Sequence, residues 1–180
     1  MILKTILSGK TYAFRDIKEV LAKANEEKTG DKLAGLAAET AQERIAAKVV
    51  LSALTLGDLR ENPAVPYEED EVTRIIQDDV NEYVYNRIRN WTVAEFREWI
   101  LSENTSGDDI RKVSRGLTSE MVAAVAKLMS NLDLIYAANK ITVTAHCNTT
   151  IGLPGTLSCR LQPNHTTDDP EGITASVLEG

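Results

Sequence analysis

The sequence predicts a mainly α-helical amino-terminal region over residues 1–140. Over 141–180 it predicts an extended segment, a strand at about 156–162 and the start of a helix. Three observations carry that division. Apolar residues recur at helical spacing through most of the first 140 positions. Asp16, Thr40 and Thr92 are each followed three residues later by Glu, the pattern of a capping box. At Lys140 the composition changes: "ITVTAHCNTTIGLPGTLSCRLQP" is rich in Ile, Val and Thr and is broken by Gly152, Pro154 and Gly155.

Taken in order, Asp16 caps the first predicted helix, with Glu19 reaching back to it. Ile17, Val20, Leu21 and Ala24 follow at helical spacing, and Gly30 is the predicted stop. A second helix starts at Thr40 with Glu43 as its box partner; Ala41, Ile45 and Val49 form its predicted stripe. "RENPAVPYEED" holds two prolines and cannot be helix interior. From Glu71, the residues Val72, Ile75, Ile76, Val80 and Tyr83 share one period near 3.6. Thr92 and Glu95 cap a helix carrying Phe96, Trp99 and Ile100. A short helix with Ile110 and Val113 is closed by Gly116. Thr118 opens the most apolar helix, with Met121, Val122, Val125, Leu128, Met129 and Leu132 as one wide stripe.

In "GTLSCRLQPN", read as a strand, Thr156, Ser158, Arg160 and Gln162 point one way and Leu157, Cys159 and Leu161 the other. Pro163 stops it. The tail then reads as a loop into a helix, with Asp169 or Thr167 as cap, Pro170 at the first helical position and Glu171 as a first-turn acid. Strand, loop and helix make one βα unit. A parallel strand needs neighbours on both edges, so this order predicts a larger α/β protein of which the chain is a truncated part.

Composition narrows the function. At 180 residues, 43% hydrophobic and 26% charged, with ten glycines and five prolines, the chain is globular in character. A formal charge of −7 and scattered basic residues speak against nucleic-acid partners, which need a basic footprint. No stretch approaches the roughly 20 apolar residues of a membrane span. The amino terminus lacks the apolar core and cleavage site of a signal peptide. The expectation is a cytoplasmic protein with no membrane partner and with Cys147 and Cys159 as free thiols.

Arg160 and Gln162 are the candidate site. In barrels of repeated βα units, active sites sit at the carboxyl ends of the strands. Arginine offers a fixed fork of donors, and glutamine an acceptor beside two donors, so together they could orient a small polar molecule. On the residues alone, an exposed arginine at a strand end and a glutamine capping the next loop is the favoured account. His146, Cys147, Cys159 and His165 lack the spacing of a metal site, so no metal is predicted. Asp78, Asp79 and Glu82 read as a solvated face or cap contacts, and Trp91 and Trp99 as core or interface anchors.

Several blocks then resemble one family along the whole chain: "LKTILSGKTYAFRDIKEVLAKANE", "QDDVNE", "NRIRNW", "RGLTSEMVAAVAKLMSNLDLIYAA", "NTTIGLPGTLSCRLQPN" and "TTDDPEGITA". They are similar to the start of the large subunit of ethanolamine ammonia-lyase. The resemblance implies a helical region preceding a (β/α)8 TIM barrel, of which residues 156–180 would supply the first βα unit. It implies ethanolamine as substrate, adenosylcobalamin as cofactor, and the small subunit and other large subunits as partners. It also implies a setting in the cytoplasm or in a bacterial microcompartment. The reaction it implies is radical deamination to acetaldehyde and ammonia. Arg160 and Gln162, with Leu161 between them, match the family's substrate-holding stretch, Arg160 donating to the hydroxyl and Gln162 accepting from the amine. Cofactor contacts would fall beyond Gly180, and this chain alone would be inactive. The other class of function is a non-catalytic helical interaction or structural module, with Arg160 and Gln162 serving structure only.

Overall fold

A computed structural model of the chain describes residues 2–146, 150–157, 159, 161–163 and 169–180. It opens with an antiparallel hairpin of β1 (Lys4–Leu7) and β2 (Lys10–Ala13), in which Thr5 faces Tyr12 and Leu7 faces Lys10. The helical reading of the first 140 residues did not include this hairpin. Its cause is local: Ser8 and Gly9 both take positive φ, 52° and 77°, the two-residue turn whose twist suits paired strands. Tyr12 and Phe14 point into the core, and Thr11 and Ala13 point away from it.

Helices α1 (Ile17–Lys23), α2 (Thr29–Leu33), α3 (Ala41–Ala53), α4 (Leu56–Glu61), α5 (Glu71–Asp78) and α6 (Glu82–Ile88) follow. Then come α7 (Val93–Leu101), α8 (Gly107–Ser114), α9 (Ser119–Lys127) and α10 (Asn131–Lys140). Side-chain caps set most of the starts. Asp16 accepts from the Glu19 N–H at 2.7 Å and Asp70 from that of Thr73 at 2.7 Å. Thr55–Asp58, Thr92–Glu95, Ser106–Asp109 and Ser130–Asp133 make full capping boxes. At Asp16, Asp70, Glu95, Asp109 and Asp133 such contacts hold the carboxyl below its ordinary range. The accepted backbone N–H is the largest cause for Asp16, Asp70, Glu95 and Asp133, and the Ser106 hydroxyl for Asp109.

Several expectations need correction. The first helix ends at Ala24, and Gly30 lies inside α2 rather than stopping α1. Glu19 accepts from the Arg15 N–H, one residue before the cap. In α3 the buried residues are Ala46, Ala47, Val50 and Leu51, whereas Ile45 and Val49 stay 49% and 45% exposed. The small side chains of Ala46 and Ala47 let β1, α1 and α7 approach closely, and that proximity chooses the face. The single helix expected from Glu71 is two, α5 and α6, interrupted at Asp79–Asn81. Asn81 caps α6, and its own N–H donates to the Arg115 carbonyl at 2.8 Å. Val72 and Ile75 are 62% and 61% exposed whereas Val80 is buried in the core, so the stripe does not form one buried face. The stripe ending in Leu132 is likewise split: α9 stops at Lys127, Ser130 caps α10, and Leu132 is exposed.

The core contains Val20, Leu51, Leu56, Leu59, Ile88, Val93, Phe96 and Met121, each almost wholly withdrawn from solvent. Burying a side chain of this size contributes about 2 kcal/mol. A backbone bridge ties the middle together. Leu56 N–H donates to the Trp91 carbonyl at 2.9 Å, and Val93 N–H to the Leu54 carbonyl at 2.9 Å, so the capping residues Thr55 and Thr92 pair antiparallel. Between α4 and α6, Arg60 donates to Glu82 and to the Gln77 side chain and lies 4.2 Å from the centroid of the Tyr85 ring. Between α7 and α10, Arg97 meets Asp133 at 2.7 Å. Lys140 Nζ donates to the Ile100 and Ser102 carbonyls at the end of α7.

Contacts divide the chain into two units, one up to Ile141 and the other from Thr142 to Gly180. The second holds β3 (Ala145–His146), antiparallel to β4 (Thr150–Ile151), and α11 (Pro170–Glu179). Among the described residues, no helix is long and apolar enough to cross a membrane.

Two glycines give opposite expectations. A Cβ at Gly107 would collide with the Lys140 carbonyl oxygen, whereas one at Gly30 meets nothing. In urea denaturation Gly107→Ala is expected to lose about 1–3 kcal/mol, and Gly30→Ala to gain up to about 1 kcal/mol. The Arg60 hydrogen bond holds the Glu82 carboxyl below its ordinary range. A depressed folded-state value stabilises above the unfolded value of about 4.3 and is lost as pH falls through the lowered one. Glu82→Gln is therefore expected to lose stability at neutral pH, by at most about 1 kcal/mol for a pair this exposed. It should also lose less than the parent on acidification below the unfolded value, read as urea midpoints across that range.

Candidate functional site

The second unit carries the segment that the sequence singles out. Across its short hairpin His146 pairs with Thr150, and Nδ1 lies 2.9 Å from the Thr150 hydroxyl oxygen. At Gly152 φ is +93°, and a Cβ would collide with the Val143 carbonyl oxygen. Glycine is required there twice over, by conformation and by space. Leu153-Pro154-Gly155-Thr156 then makes a turn: Thr156 N–H donates to the Leu153 carbonyl at 3.2 Å, and Gly155 takes φ +71°. Proline at the second position and a positive-φ glycine at the third are the signature of a type II turn. The turn at Gly152–Gly155 therefore lies where the composition puts it.

Beyond the turn, structure and expectation differ. The described residues of 156–162 form no strand, and the paired residues of this unit are those of β3 and β4. A strand is a pairing, and its hydrogen bonds must come from a neighbour. Among the described residues none pairs with 156–162. Leu157 is 100% exposed, so the alternation that would bury Leu157 under helices is not realised. Leu161 is half exposed and lies against Gly180, where a Cβ would strike its methyl groups. Gln162 is exposed. Arg160, and with it the juxtaposition of Arg160 and Gln162, lies outside the described residues.

The helix after the site forms as the sequence predicts. Asp169 caps α11, its carboxylate accepting from the Gly172 N–H at 3.0 Å and the Glu171 N–H at 3.4 Å, and Pro170 is the first helical residue. Pro170 has no N–H to lose, and the two acids sit where the helix dipole favours negative charge. Thr167, the other candidate cap, lies outside the described residues.

The remaining candidates have structural partners. Asp78 accepts from the Tyr67 hydroxyl at 3.1 Å, Asp79 ends α5, and Glu82 is engaged by Arg60. Trp91 and Trp99 are half-buried, 5.5 Å apart between ring centroids, and both lie near Phe96, as anchors rather than as an open stacking platform. Cys159 is a free, exposed thiol; Cys147 and His165 lie outside the described residues. Among the described residues no three of His, Cys, Asp and Glu gather as a metal site. A recess of about 920 Å³ beside Arg60 is rimmed by Glu61, Glu68, Asp78 and Glu82.

Sequence reasoning missed several positioning features that had local signals. Ser8-Gly9 marks the first hairpin, and Thr55–Asp58 and Ser130–Asp133 mark α4 and α10. In the latter two, aspartate does the job of the glutamate that the capping-box pattern favours, which hides the box from a search for Ser/Thr followed by Glu.

Comparison with known proteins places these features in a family. The sequence profile described as ethanolamine ammonia lyase large subunit (EutB) matches residues 12–180. The ethanolamine ammonia-lyase large subunit of Salmonella typhimurium strain LT2 is 61% identical over 180 residues, all of this chain and 40% of that protein. That of Escherichia coli K12 is 60% identical over the same share. The chain thus spans about two fifths of the length of the curated relatives it matches, at their amino-terminal end. A profile covering nearly every residue, and relatives this similar from first residue to last, show that the chain belongs to the ethanolamine ammonia-lyase large-subunit family.

Proposed function

We propose that this chain serves as the amino-terminal part of a large subunit that, with a small subunit and adenosylcobalamin, converts ethanolamine to acetaldehyde and ammonia. The observation that carries the proposal is identity of 60–61% across all 180 residues, the Arg160-Leu161-Gln162 segment included in the aligned span. The catalytic unit is the assembled enzyme. Residues 1–140 form its helical region, and 141–180 lead into the first βα unit of a (β/α)8 barrel. In this reading that strand gains its pairing partners from further barrel strands, in keeping with the described residues of 156–162 lying in no strand here. The setting is the cytoplasm or a bacterial microcompartment.

In this reading Arg160 and Gln162 bind and orient the substrate, with Leu161 spacing them. Ethanolamine carries an ammonium and a hydroxyl. Arg160 is a permanent cation, so it donates to the hydroxyl oxygen and is kept from the ammonium by charge repulsion. Gln162 accepts from the ammonium through its amide oxygen, which a neutral side chain can do without perturbing the site's charge. Carboxylates from the rest of the subunit balance the two positive charges. Held at both ends, the amino alcohol is fixed in one orientation, and the entropy of positioning is met at binding. The radical chemistry belongs to the cofactor, not to these side chains.

A second reading, a helical interaction or structural module, is favoured by one observation: α10 leaves Leu132, Leu134, Ile135 and Tyr136 exposed. It assigns Arg160 no chemistry.

Arg160→Ala in the full-length large subunit, assembled with small subunit and cofactor, distinguishes them. Loss of one preorganised donor is expected to lower turnover by about 100-fold or more, with circular dichroism and subunit assembly unchanged. Gln162→Ala is expected to raise KM more than it lowers kcat. Turnover within a few-fold of the parent for Arg160→Ala removes the assigned role and leaves the structural reading standing. The 180-residue chain, mixed with small subunit and cofactor, is expected to give no acetaldehyde.

A further inference from the structure

A recess of about 540 Å³ in the helical unit lies among the end of α1, the middle of α3, the end of α9 and the start of α10. Ala24, Ala123 and Ala126 contribute to its wall, and small side chains leave the space open. Three lysines reach it from three parts of the chain: Lys28 before α2, Lys48 on α3 and Lys127 at the last turn of α9.

The charges there do not cancel. Lys127 is half-buried, and its Nζ donates to the Asn25 amide oxygen at 2.5 Å, a neutral partner. Lys48 is paired with Glu26 at 2.7 Å, and that carboxylate is shared with Arg44 at 3.7 Å. Among the described residues Lys28 forms no ion pair. Burial first, then the charges of Lys28 and Lys48, push the Lys127 ammonium below its ordinary range, and only Asp31 opposes them. In a chain of formal charge −7, positive groups have acids to pair with almost anywhere. Here they crowd a concave space with carboxylates in the minority, and Asn131, the first residue of α10, lies on the same wall.

We propose that this recess is a binding site for a small phosphate-class oxyanion, held from within by Lys127 and from the rim by Lys28 and Lys48. Lysine is a compact point charge that binds phosphate without a fixed geometry. A tetrahedral anion offers acceptor oxygens in several directions at once, which suits donors arriving from three separate elements. A carboxylate offers two oxygens in one plane and matches fewer of them. The bound anion would relieve the repulsion among the three ammoniums and tie the start of α2, α3 and α9 at one point. The site is independent of the Arg160 segment.

The test uses the 180-residue chain with 13C-labelled lysine, titrated with inorganic phosphate against sodium chloride at matched ionic strength. Saturable shifts of the Lys127 and Lys28 Cε signals are expected at millimolar phosphate. The Lys127 titration midpoint should rise in phosphate and not in chloride. Lys127→Met and Lys28→Met are each expected to weaken binding by about tenfold or more, and remote Lys10→Met to leave it unchanged. Lys28 is exposed, so its variant keeps the fold and carries the test if Lys127→Met does not fold. Absence of saturation, or parental affinity in the folded Lys28→Met variant, overturns the proposal. Equal binding of acetate overturns the assignment to a phosphate-class ligand.

Discussion

The helical unit depends on the point where Leu54-Thr55-Leu56 and Trp91-Thr92-Val93 meet back to back. Two capping boxes, Thr55–Asp58 and Thr92–Glu95, start α4 and α7 from residues whose chain neighbours exchange backbone hydrogen bonds. Groups that helix starts leave unpaired are thereby satisfied beside a bridge that fixes the two helices relative to each other. Leu54, Leu56 and Val93 are driven into the core on either side of it. Gly57 completes the contact, because its N–H donates to the Arg89 carbonyl at 2.8 Å and a Cβ there would stand 3.1 Å from that oxygen.

From that point polar ties extend outward at helix ends. Arg60 couples α4 to α5 and α6, Arg97 couples α7 to α10, and Lys140 returns to the exposed carbonyls of α7. Each tie joins elements that are short, between six and ten residues, and that packing alone would hold loosely. Aligned charges at helix termini do for these pieces what length does for longer helices.

The candidate site is organised on the opposite principle. Its turns are local and firm: Gly152 and Gly155 with positive φ, Pro154 between them, and Asp169 capping α11. A strand cannot be local in the same way. Residues 156–162 have the composition of a strand, yet a strand needs a second backbone beside it, and the family's large subunits are about two and a half times the length of this chain. The turn that leads into this segment and the helix that follows it are written in these 180 residues.

Starts of helices were legible where a Thr or Asp cap is followed by Glu within three residues, as at Asp16, Thr40, Thr92 and Asp169, because those contacts are made by near neighbours in the chain. The family, too, was legible in blocks such as "NTTIGLPGTLSCRLQPN". Which face of a helix is buried was not. Ile45, Val49, Val72 and Ile75 obey helical periodicity and stay exposed, because α3 and α5 carry apolar residues on more than one side. The break at Asp79–Asn81 was hidden for a related reason: part of what holds it is the Arg115 carbonyl, more than thirty residues away. The sequence by itself determined the caps, the turns and the family, all properties of contiguous residues. Tertiary structure alone decided the buried faces, the helix breaks and whether a strand is paired, since each depends on backbone that only folding brings near.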